Sequence, residues 1–161
     1  MALLIAFFVA KDPLIKFFRE MFKDAPYEFG DFKSIVFKYG VRDSMINSYN
    51  SATGEYQYLD KHDSLVKTNV MLNEDELLYL HHKATELGFW DFPANELNSD
   101  TTSRTGAKPL RYLVEFNYQH NGKKVLFDTN YDGPEKLFEA NTRLIQEIER
   151  VLQEAEERQK K

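Results

Sequence analysis

The chain has 161 residues, 42% of them hydrophobic and 14% aromatic, which fits one globular domain with a real core and excludes a mainly disordered polymer. Its formal net charge is −5 with no basic run, which argues against nucleic acid as a partner, because phosphate contacts need clustered Lys and Arg. It contains no cysteine, so disulfides, thiol nucleophiles and Cys-ligated zinc are excluded.

Leu3 to Ala10 is apolar throughout and too short to span a bilayer. It is similar to the apolar centre of a signal peptide. No basic residue precedes it and no small-x-small cleavage site follows, so it is not read as an intact signal peptide. Asp12-Pro13 then supplies an N-cap and first helical position. Leu14, Phe17, Phe18, Met21 and Phe22 fall on one face of the following helix. Residues 1–24 are therefore expected to form a helical arm that packs on the domain. Alternatively the arm uses Phe7, Phe8, Phe17 and Phe18 to contact a partner or a membrane surface.

Pro26 and Gly30 mark a connector. Ile35, Phe37, Tyr39 and Val41 alternate with polar residues and glycine, the pattern of a half-buried strand. Met45 to Tyr49 and Glu55 to Lys61 flank the turn Ser51-Ala52-Thr53-Gly54, and Leu65 to Leu72 reads as a fourth strand. A helix follows. Asn73 and Glu76 have capping-box spacing, Leu72 and Leu77 form a hydrophobic staple, and Leu77, Leu80, Ala84 and Leu87 make one stripe. Gly88 suits the left-handed position after the helix, with Phe89 folding back on Ala84.

Residues 95–108 read as a long polar loop. Leu110, Tyr112, Val114, Phe116 and Tyr118 alternate, and Asn121-Gly122 is a strong hairpin signal before Val125 and Phe127. Asp132-Gly133-Pro134 opens a last helix, with Leu137, Leu144, Ile148, Val151 and Ala155 spaced like a heptad seam around Asn141. This seam is expected to dock through Leu137–Ile148 and to offer its far end for self-association or another partner. Residues 156–161 are expected to fray. The fold class is α+β: an antiparallel sheet of about six strands with helices on one face, in a single domain spanning 32–155.

Several of these segments resemble a family of uncharacterised bacterial domains often found in exported proteins and lipoproteins. The shared features are Gly54-Glu55-Tyr56, Leu72-Asn73-Glu74-Asp75-Glu76-Leu77, Phe89-Trp90-Asp91-Phe92-Pro93, Asn121-Gly122-Lys123 and Pro134-Glu135-Lys136-Leu137, over about residues 32–150. The first has one residue fewer than the family spacing. The resemblance implies the strands-helix-strands-helix order and export to the cell envelope. It carries no known activity.

Chemistry-bearing residues are sparse. His81 and His82 are adjacent on a helix and point about 100° apart, which does not suit a shared metal, and His62 and His120 sit at turns; all four read as surface or boundary residues. Trp90 reads as a core plug. No catalytic residues and no cofactor are predicted. The sharpest candidate is a cation site. With Asn121-Gly122 as a two-residue turn, Phe116 meets Phe127 and Glu115 lies directly opposite Asp128. Such a pair calls for a basic neighbour (Arg111, Lys38 or Arg42), a shared proton or a metal ion, with Asn117 and Asn130 as further oxygen ligands. The function expected is a non-enzymatic binding or structural module associated with the envelope. A ligand- or cation-binding domain, or a hydrolase-like enzyme using the 95–108 loop with Glu115 and Asp128, stands as the alternative, and a helix-mediated homodimer as a third.

Overall fold

The computed structural model describes residues 26–98 and 108–161. The arm at 1–24, with Phe7, Phe8, Phe17 and Phe18, and most of the 95–108 loop lie outside the described residues. Seven strands form one sheet: β1 (Phe32–Val41), β2 (Ser44–Asn50), β3 (Glu55–Leu59), β4 (Leu65–Asn69), β5 (Asn95–Glu96), β6 (Leu110–Tyr118) and β7 (Gly122–Asp128). Their order is β4-β3-β2-β1-β6-β7-β5. The helices α1 (Glu74–Leu87) and α2 (Glu135–Gln159) cover one face, so the α+β class holds. The sheet is mixed rather than antiparallel, because β5 pairs parallel with β7. Two residues carry no alternation of their own, and tertiary pairing alone makes them a strand.

The two halves of the chain join at β1 and β6, where Ile35, Phe37 and Tyr39 face Phe116, Val114 and Tyr112. Alternation sends these side chains to the helix-covered face, where most are buried. The helix α1 forms as its ends dictate. Asn73 Oδ1 accepts from the Glu76 N–H at 2.9 Å, and Glu76 Oε2 accepts from the Asn73 N–H at 2.8 Å. Gly88 has φ 79°, and its N–H caps the Ala84 and Thr85 carbonyls. Phe89 and Trp90 then turn into the core, and Trp90 Nε1 donates to Thr85 Oγ1 at 3.0 Å.

On α2 the seam is buried from Asn141 through Ala155, and Leu137 at its start is half-buried. The far end packs on this chain. Val151 and Leu152 are buried beside Ala155, and Tyr58 Oη donates to Glu156 Oε1 at 3.0 Å. The helix runs to Gln159, whose Oε1 accepts from the Met71 N–H, and Arg158 pairs with Glu76.

The β6–β7 hairpin turns two residues earlier than the Asn-Gly signal predicts. The Tyr118 N–H donates to the Asn121 carbonyl at 2.8 Å, which centres the turn on Gln119-His120. An even shift keeps each residue on its face but changes every partner. Phe127 faces Tyr112, Glu115 faces Lys124, and Asp128 faces Arg111. Both charged pairs are therefore opposite in sign, whereas the expected register puts two carboxylates together, and that difference favours the observed one. Gly122 serves the ladder rather than a turn: a Cβ there would lie 2.9 Å from the Phe116 carbonyl oxygen.

Candidate functional site

Glu115 and Asp128 are not brought together. They stand four residues apart along the hairpin, roughly 13 Å at strand spacing. Asp128 is 2% exposed, and both its oxygens are taken by Arg111: Nε to Oδ1 at 2.8 Å and Nη2 to Oδ2 at 3.1 Å. The third Arg111 nitrogen reaches Asp43. Asn117 on β6 donates to Ser34 Oγ, whereas Asn130 lies in the turn after β7. Among the described residues no group of three or more His, Asp or Glu could hold a metal ion.

His81 is buried at 4% exposure, not at the surface. Its Nδ1 lies 2.7 Å from Tyr118 Oη, and burial pulls the imidazole down to about 4, so it is neutral at pH 7. Tyr27 stacks on Tyr118 and tilts against Trp90, both at 4.7 Å, closing the cluster. An imidazole and a phenol held together under aromatic rings are core-forming groups, out of reach of a substrate.

A more accessible constellation runs across the strands beneath α2. Asn47 on β2 pairs with Tyr39 on β1, Tyr39 with Tyr112 on β6, Tyr112 with Phe127 on β7, and Phe127 with Glu96 on β5. The helix follows this row. Asn141 bonds Glu96, Phe138 meets Phe127 at 5.7 Å, and Glu156 accepts from Tyr58. Glu149 on α2, one turn from the buried Ile145 and Leu152, acts electrostatically on Tyr39, Tyr56 and Tyr112, and burial raises its own carboxyl.

This groove has a half-buried floor and an open lip. Tyr39 and Tyr112 stack at 5.4 Å, and Tyr56 and Tyr58 lie 4.8 Å apart. Val41 and Leu110 pair beyond Tyr39 and Tyr112 on the same face, and they and Phe138 are each more than a third exposed. Among the described residues the hydroxyls of Tyr39, Tyr56 and Tyr112 make no hydrogen bond, and all three side chains are half-buried. Burial pushes Tyr112 up to about 12, with the Glu149 carboxylate adding to the rise, and burial raises Tyr39 and Tyr56 as well. The phenols therefore stay protonated at neutral pH. They offer O–H donors and ring faces, not nucleophiles or bases. Alternation in β1, β3 and β6 points these tyrosines inward, with Tyr56 in the row of Tyr49 and Phe37, next to that of Tyr39 and Tyr112, but bringing the rows together depends on strand order, which no local pattern encodes.

Among the described residues the fold and groove define an α+β domain with helices on one face of its sheet and a tyrosine-lined surface beside its C-terminal helix. Comparison with protein-family models, with curated proteins and with solved structures finds no match to this chain.

Proposed function

We propose that this chain is a non-enzymatic binding module, and that the tyrosine groove beside α2 takes a basic group, a Lys or Arg side chain presented by a peptide or protein. One observation carries the reading. Besides one another, the ionisable groups acting on Tyr39, Tyr56, Tyr58 and Tyr112 are the carboxylates Glu149, Glu156 and Asp60, of which Glu156 is also paired with Lys160. Ring faces attract cations through their quadrupole, and carboxylates at the rim reinforce the same potential. Tyrosine also contributes large contact area with little entropy to lose, as binding surfaces favour. The resemblance to exported bacterial domains makes the cell envelope the place to seek the partner.

Calorimetric titration of the full chain with short peptides bearing Arg or Lys, against the same peptides with citrulline or acetyl-lysine, tests this. The charged peptides should bind roughly 3- to 30-fold more tightly, the range a cation–π contact supplies. Glu149→Gln should weaken binding of the charged peptide and reduce its salt dependence. Equal affinity for charged and neutral peptides would refute the proposal.

A further inference from the structure

Glu96 is fully buried, with 0% exposure, in the two-residue edge strand β5. That strand holds to β7 by the pairs Asn95–Leu126 and Glu96–Phe127, with the Leu126 N–H donating to the Ala94 carbonyl at 3.0 Å. One carboxyl oxygen, Oε2, accepts from Asn141 Nδ2 on α2 at 2.8 Å. Asn141 is itself buried and donates also to the Leu137 carbonyl. The other oxygen, Oε1, has no hydrogen-bond partner among the described residues.

Among the described residues the surroundings of this carboxyl are poor in charge. From α2 it meets the neutral Asn141. From β7 it meets Phe127 in its own row, and Lys123 acts on it from a distance while donating to the Phe92 carbonyl. On β5 itself, Asn95 accepts from the Leu97 N–H. An unpaired carboxylate in such a place is far costlier than a neutral acid with one unmet oxygen, which costs about 1–3 kcal/mol.

We propose that Glu96 is a pH-operated latch: with its proton on it clamps β5 between β7 and α2, and on ionisation it releases β5 from both. Burial pushes the carboxyl up to about 7, against the opposing pull of Asn141 and Lys123. The folded value lies above the unfolded one of 4.5, so the clamp is at full strength below pH 4.5. It weakens as pH rises, and the loss levels off above about 7. Release stays local because β7 keeps its antiparallel pairing to β6 when β5 departs. It bares the β7 edge at Leu126 and Phe127.

NMR of the full chain can follow the Glu96 carboxyl carbon and the exchange of the Leu126 amide from about pH 5 to pH 9, in wild type and in Glu96→Gln. The carboxyl should titrate with a midpoint near 7. Leu126 exchange, corrected for base catalysis, should rise roughly tenfold above that midpoint in wild type and stay flat in Glu96→Gln. A carboxyl midpoint below about 5, or an exchange rise that persists in Glu96→Gln, would overturn the latch. If the variant does not fold, the wild type alone decides the matter: a Leu126 exchange that stays flat across the carboxyl midpoint would overturn the latch.

Discussion

His81 shows how much one buried imidazole sets the acid limit of this chain. Its depressed folded value of about 4 means that above the unfolded value of 6.5 both states are neutral and nothing is lost. As pH falls from 6.5 towards 4, the unfolded chain takes up the proton first and stability drops. The expected size is on the order of 3 kcal/mol, since each tenfold loss of proton affinity on folding corresponds to about 1.4 kcal/mol. His81→Asn keeps an acceptor for Tyr118 but no titrating ring. Urea unfolding of both proteins should show the wild-type advantage shrinking across this window, and a constant difference would contradict a buried neutral His81. The sequence signals the adjacent pair His81-His82 but not which of the two turns inward. That choice depends on where Tyr118 lies across the helix–sheet interface, and no local pattern carries it.

Element boundaries are legible where the cause is local. The Asn73–Glu76 capping box and the left-handed Gly88 both appear where their residues call for them, because each needs only groups within one turn of the helix. The hairpin is the counter-example. Asn121-Gly122 is a strong local turn signal, yet Phe32–Tyr118 pairing with β1, Glu115–Lys124 and Arg111–Asp128 together select a turn two residues earlier. The cross-strand charges are present in the sequence and oppose the like-charge register. The C-terminal helix is ambiguous for a related reason: a continuing seam reads equally as docking surface or dimer surface until the sheet beneath it is seen. Because Val151, Leu152 and Ala155 are buried in this chain, truncation after Arg150 should lower stability by several kcal/mol, about 1.5–3 for each large apolar side chain lost. Thermal unfolding and sedimentation check this together. A truncated chain that melts with the full one, and differs from it only in oligomeric state, would restore the dimer reading.

The whole molecule is a sheet whose order, β4-β3-β2-β1-β6-β7-β5, places tyrosines from three separate strands in one groove beneath α2. Alternation makes the inward direction of Tyr39, Tyr56 and Tyr112 readable; their convergence with Glu149 and Glu156 requires the long-range pairing of β1 with β6 and the path of α2 across the strands. The same assembly sets two opposing acid–base responses, Glu96 losing its clamp as pH rises and His81 destabilising the fold as pH falls. The groove is the surface on which the proposed function rests. Mapping amide shifts of the isotopically labelled full chain during titration with an Arg-bearing peptide tests it most directly. Shifts should cluster at Tyr39, Tyr56, Tyr112 and Glu149 and be absent with the citrulline peptide. Shifts confined to the opposite face of the sheet, around Lys38, Glu115 and Lys124, would contradict it.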